Sequence, residues 1–124
     1  MKILGIKKSA EFQNIGKKGK KFHAKTVLVI TLPTPQFYFC NKQLGKNALD
    51  FMRVGFTVSK TVGNAVTRNF AKRRLREAAK MVLLKHAKNH HDFVIIAKRE
   101  IAKASYDEIL KDLNFTLKNL TRNC

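Results

Sequence analysis

Residues Val54 to Glu77 (VGFTVSKTVGNAVTRNFAKRRLRE) change periodicity in mid-stretch, and that change limits what the chain can fold into. Val54, Phe56 and Val58 alternate with Arg53, Gly55, Thr57 and Ser59 at the two-residue repeat of a strand. Gly63-Asn64 breaks the repeat, and the Asn64 side chain can cap a helix by accepting a bond from a free backbone N–H. From Ala65 the repeat is helical. Ala71, Leu75, Ala78 and Val82 stack on one face, at spacings of 4, 3 and 4. Asn69, Arg73, Arg76 and Lys80 follow the same spacings on the opposite face, flanked by Arg68 and Lys72. The pattern predicts a helix that docks on a sheet by one side and offers positive charge on the other.

That charge has little local compensation. Between Phe51 and His91 stand ten Lys or Arg and one acid, Glu77. Solvated faces usually mix both signs, so a one-signed rigid face points to a polyanionic partner. A nucleic-acid backbone fits best, because neutralising it releases condensed counterions. The whole chain carries a net charge of +18, yet at 44% hydrophobic it is no disordered basic tail. Its 124 residues suit one domain, 1–124, with a modest core. No apolar run approaches the roughly 20 residues of a membrane span, and MKILGIKKSAEF is too short in apolar residues for a signal peptide. A cytoplasmic protein is expected. Cys40 and Cys124 lack further cysteines at metal-ligand spacing, and a reducing compartment leaves them as plain thiols.

Along the chain, residues 1–25 hold eight Lys and one acid, Glu11. Ser9 can cap a short helix through Ala10, Glu11, Phe12 and Ile15, closed by Gly16 or Gly19. Phe12 and Ile15 would face the sheet, although an aromatic on a basic element can equally stack a base of single-stranded RNA. Thr26 to Leu32 (TVLVITL) is β-branched and apolar on both faces, a strand covered on both sides over part of its length. Pro33 and Pro35 end it, and residues 33–51 form a long connection. Its Phe37-Tyr38-Phe39 cluster suits either a short extra strand or packing over a sheet edge. His86 and His90 stand four apart and would share a metal only if the helix reached both, whereas an exposed helix end is the plainer reading. Phe93 to Ala97 is a short buried strand. Ser105 and Glu108 form a capping box opening a last helix, with Leu110, Leu113, Leu117 and Leu120 as its core stripe. The order is α-β-β-α-β-α, a two-layer α+β sandwich of a small mixed sheet with packed helices.

A protein nuclease of this size would need paired carboxylates for metal ions or a histidine pair for proton transfer. The eight acids are scattered, and neither a glycine-rich phosphate loop nor a nucleophile motif is present. The residues describe a binding module without catalytic residues of its own. A self-sufficient metal-dependent nuclease is disfavoured, and a structural, ribosomal-type RNA-binding protein is the alternative.

Ser59-Lys60, Gly63-Asn64-Ala65-Val66 and Arg68-Asn69-Phe70-Ala71-Lys72-Arg73 resemble the protein subunit of bacterial ribonuclease P, whose strand ends in S-K before G-N-A-V and R-N-x-x-K-R. Lys7, Lys8 and Phe12, the FVIIA strand with Lys98-Arg99, and the Tyr106-containing last helix extend the resemblance over most of the chain outside residues 33–51. It implies an α+β sandwich with a left-handed βαβ crossover, against the usual right-handed rule. It implies a ribonucleoprotein whose RNA, using Mg2+, hydrolyses precursor tRNA to release the 5′ leader. The protein would bind the catalytic RNA through Lys60, Arg68, Asn69, Lys72, Arg73, Arg74, Arg76 and Lys80. Asn69 is also suited to a hydrated metal ion, and no metal is expected in the protein alone. Phe12 and Phe93 match aromatic positions of a cleft that holds the single-stranded leader. Neither DNA nor a membrane is expected as partner, and the free protein is expected to be a monomer. Three positions depart from the family pattern. Phe70 stands for the second arginine of Arg-Asn-Arg, Gly16 for a cleft aromatic and Ile30 for a tyrosine.

Overall fold

The computed structural model describes residues 2–6, 9–34, 51–86 and 90–121. Lys7, Lys8, the Phe37-Tyr38-Phe39 cluster, Cys40 and Cys124 lie outside the described residues. The described strands are β1 (Lys2–Gly5), β2 (Lys20–His23), β3 (Val27–Pro33), β4 (Phe51–Val58) and β5 (His91–Ala97), and the helices are α1 (Ser9–Lys18), α2 (Ala65–Lys85) and α3 (Tyr106–Thr121). They form one mixed sheet in the order β1-β4-β5-β3-β2. β4 pairs in parallel with both β1 and β5, and β3 pairs antiparallel with β5 and β2.

The α+β class and the three expected strands are as read from the sequence. β1 and β2 are additional. With four residues each, KILG and KKFH, they are too short to show a repeat, and neighbouring strands supply their hydrogen bonds. α1 ends at the second of the two glycines expected to close it. Gly16 is inside it, and the break comes at Gly19, whose amide donates to the Ile15 carbonyl at 2.8 Å. A Cβ at position 19 would lie 2.5 Å from Ile30 Cγ2, so glycine lets the turn sit directly against β3.

Two apolar clusters lie on opposite faces of the sheet. Val27, Val29, Met52, Val54, Phe93 and Ile95 meet Leu75, Ala78, Val82 and Leu83 of α2 and Ile109, Leu113 and Leu117 of α3. Ile30 and Val94 meet Ile6 and Ile15, with Phe12, Leu28, Leu32 and Ile96 at the margin. α1 thus adds a layer to the expected two. Strand alternation decides the place of Phe93: Asp92 and Val94 face α1, so Phe93 faces α2 and α3, fully buried. The expectation that Phe93 lines a cleft beside the first helix is corrected: it is a core residue.

The hand of the β4–α2–β5 crossover follows from one hydrogen bond. The Ile6 amide donates to the Val54 carbonyl at 3.1 Å, so that carbonyl points towards β1, while the Val54 side chain packs under α2. For an L-residue viewed from its side-chain face with the strand running upward, the carbonyl points right. β1 therefore lies right of β4 and β5 left of it. A connection passing over that face towards the left is left-handed, the rare hand.

The ends of α2 are fixed by identifiable groups. Thr67 N donates to Asn64 Oδ1 at 2.9 Å, the expected cap. Gly63, at φ 153°, supplies a backbone conformation that side-chain-bearing residues avoid. At the other end α2 stops at Lys85. His86 Nε2 lies 2.6 Å from Asn114 Oδ1, and the His90 ring packs on Phe51. The two histidines thus face different partners. In α3, Glu108 N donates to the Ser105 hydroxyl at 3.2 Å; Leu113, Leu117 and Leu120 of the leucine stripe are buried, and Leu110 packs at the margin.

Candidate nucleic-acid interface

α2 presents the two faces its spacing predicts. Ala71, Leu75, Ala78 and Val82 are buried, joined by Ala79 and Leu83. Asn69, Arg73, Arg76 and Lys80 are exposed, as is Lys60 just after β4. Arg68 and Lys72 are half-buried where the helix leaves the sheet. There Arg68, Asn69 and Lys72 converge with Val58 and Ala65 around a hollow of about 180 Å³. Arg68 Nε is buried there without a hydrogen-bond partner among the described residues, so a donor stands ready for an incoming acceptor.

Arg74 is placed differently from the other expected RNA contacts. It is half-buried and donates from Nη2 to the Ala104 carbonyl at 2.7 Å, tying α2 to the turn before α3. Phe70, half exposed, lies under both the Arg73 and Arg74 guanidiniums, at 5.7 and 5.1 Å from its ring centroid.

On the other face of the sheet the registers define three rows across the strands. Arg53, Asp92 and Leu32 form the first, Gly55, Val94, Ile30 and Lys21 the second, and Thr57, Ile96, Leu28 and His23 the third. α1 covers the first two. Ile15 is buried on them, and the Phe12 ring lies over Gly55, where a Cβ would stand 2.5 Å from Cε1 and Cζ. The third row is open: Thr57 and His23 are exposed, Ile96 and Leu28 partly so. Phe12, Leu28 and Ile96 line a partly open trough on this face, with Thr57 and His23 at its ends. The continuous apolar run TVLVITL already signalled it, since a strand apolar on both faces needs a cover that α1 gives only in part.

The sequence reading missed the anchor of α1. Arg53 donates from Nε to Asp92 Oδ1 at 2.8 Å, from Nη2 to Asp92 Oδ2, and from Nη1 to Glu11 Oε2 at 2.9 Å. Thr34 Oγ1 donates to Asp92 Oδ1 at 2.8 Å. The available signal was Arg53 at a strand position flanked by apolar residues. Among the described residues no three His, Cys, Asp or Glu side chains gather as a metal-holding group. Asn69 offers a single amide oxygen between two cations, a donor set suited to phosphate or to the water shell of an ion rather than to direct metal ligation.

A rigid helix with one buried and one cationic face, backed by an apolar trough, defines a nucleic-acid-binding α+β protein. The family model for Ribonuclease P matches residues 2–121, and the chain belongs to that family. It is 37% identical over 116 residues to the ribonuclease P protein component of Paramagnetospirillum magneticum, covering 93% of this chain and 80% of that protein. The component of Clostridioides difficile is 34% identical over 118 residues, covering 95% and 89%. The solved Staphylococcus aureus RNase P protein superposes with a TM-score of 0.71 at 32% identity, covering 93% of both chains. The Thermotoga maritima protein, at 22% identity and a TM-score of 0.66, shares the fold. The chain is thus a protein subunit of an endoribonuclease that processes tRNA, and its partner in that complex is RNA. No helix among the described residues is long and apolar enough to cross a membrane.

Proposed function

We propose that the chain binds the catalytic RNA of ribonuclease P through the exposed face of α2 and holds the 5′ leader of precursor tRNA in the trough beside α1. The observation that carries this reading is the segregation on α2, where six buried apolar residues back a face bearing Asn69, Arg73, Arg76 and Lys80. Lys60, Arg68 and Lys72 extend the phosphate-binding surface towards the end of β4. The crossover brings that end beside the open row of Thr57, Ile96 and Leu28. A leader strand leaving the trough would meet Arg68 and Asn69 next.

In this arrangement the RNA carries the chemistry, with Mg2+ ions that it holds, and the protein supplies binding and orientation. Phe12 stacks a leader base, and Arg68 and Lys72 receive the adjoining phosphates. Asn69 has the reach to touch a phosphate oxygen or a water of an RNA-held ion. The partners are RNA and not DNA, the free protein is a monomer of one domain, and the complex works in the cytoplasm.

Affinity measured for precursor tRNAs with leaders of increasing length, in the presence of the RNA subunit, tests the reading. Affinity should rise with each leader nucleotide that enters the trough and then level off. An affinity independent of leader length would overturn the leader assignment. It would favour a purely structural role on the RNA.

A further inference from the structure

A second groove lies on the opposite side of the sheet from the trough, between the edge strand β1 and α2. It encloses about 210 Å³, with Ile3, Gly5, Val54 and Phe56 among its apolar lining and Arg76 and Lys80 at its rim. The register pairs Ile3 with Met52 and Gly5 with Val54, and both partners belong to the cluster under α2. Ile3 and Gly5 therefore face α2, while Ile6 packs on the α1 side. Gly5 opens the groove, because a Cβ there would meet no atom within 4 Å. Ile3 is 36% exposed in the wall, an apolar surface left uncovered by the described residues.

We infer that this groove receives the base of an unpaired nucleotide of the RNA subunit, with the flanking phosphates on Arg76 and Lys80. An apolar slot rimmed by cations is how a folded domain takes a single-stranded nucleotide, whose base is buried while its backbone is neutralised. The hollow beside Gly5 is small, about 210 Å³, on the scale of a single base. Arg76 and Lys80, one helical turn apart, continue the cationic stripe of Arg73. The RNA lying on that stripe is the strand that reaches the groove, whereas a leader in the trough is on the other sheet face. The inference rests on the proposed reading of α2 and assigns it a base-recognising pocket.

Two variants fill or charge the groove. Gly5→Leu places a side chain in the open space, and Ile3→Glu sets an anion beside Arg76 and Lys80. Each should weaken binding of the full-length protein to the RNA subunit about tenfold, the equivalent of one base stack. Gly5→Leu should leave the thermal unfolding midpoint in place, and both variants should leave the leader-length dependence of substrate affinity in place. A direct measurement needs no variant. RNA subunit transcribed with 4-thiouridine or 6-thioguanosine and irradiated with the wild-type protein should cross-link an unpaired nucleotide to the peptide bearing Ile3 to Ile6. Wild-type RNA affinity in both variants, or cross-links to this peptide only from paired nucleotides or from none, would overturn the inference. Failure of the wild-type protein to bind the RNA subunit would instead overturn the reading on which it rests.

Discussion

Arg53 and Asp92 form a buried pair on adjacent parallel strands, with the guanidinium 2% and the carboxylate 0% exposed. Two hydrogen bonds join them, and Thr34 and Glu11 occupy further positions on the pair. Removing one member leaves an uncompensated charge in the interior. Asp92→Ala should destabilise the fold by about 3–5 kcal/mol, read from chemical denaturation. Glu11→Gln removes a partner that keeps some water contact and should cost less, about 1 kcal/mol. Equal losses for the two variants would contradict the hierarchy.

The exposed face of α2 makes a prediction about salt. Replacing Arg73 and Arg76 by Ala should weaken binding to the RNA subunit. It should also shallow the slope of log affinity against log salt by about 0.7–0.9 for each phosphate that is no longer neutralised. An unchanged slope would show that this face meets no phosphate. Phe70→Arg, which restores the usual Arg-Asn-Arg pattern, should steepen the slope by a similar amount.

Phe12 and Gly55 act together in the trough. Phe12→Ala should weaken leader-bearing substrate by about 1–3 kcal/mol, the worth of one stacked base, with mature tRNA affinity unaffected. Gly55→Ala drives a methyl into the Phe12 ring and should produce the same selective loss through displacement of the ring. A matching loss for mature tRNA would point to damage in the fold instead.

At the start of α2, Asn64→Ala removes the acceptor for Thr67 N and should cost about 1 kcal/mol. Gly63→Ala should cost more, since its φ of 153° is strained for any side chain and its Cβ would crowd Thr67 at 3.0 Å. Thermal or chemical unfolding of the two variants ranks them. A milder effect for Gly63→Ala would contradict the account of the turn.

Much of this was legible in the chain because the information was local. The spacing of Ala71, Leu75, Ala78 and Val82 against Asn69, Arg73, Arg76 and Lys80 fixes both faces of α2, and Asn64 fixes its start. β1 and β2 were not legible, because four-residue strands borrow their stability from neighbours. The side of the sheet taken by Phe93 depends on which face each helix covers, a fact of topology that no local pattern contains. The same is true of Glu11 reaching Arg53 across 42 positions of sequence. The crossover hand came from the resemblance alone, and the Ile6–Val54 hydrogen bond then displays it in the structure.

In this complex the protein assists and the RNA cleaves. Cleavage of a 5′-labelled precursor tRNA is the direct test, run with the RNA subunit alone, the protein alone and both together at low magnesium. Efficient cutting at the mature 5′ end is expected only in the mixture. Cutting by the protein alone, or a mixture no faster than the RNA alone, would contradict it.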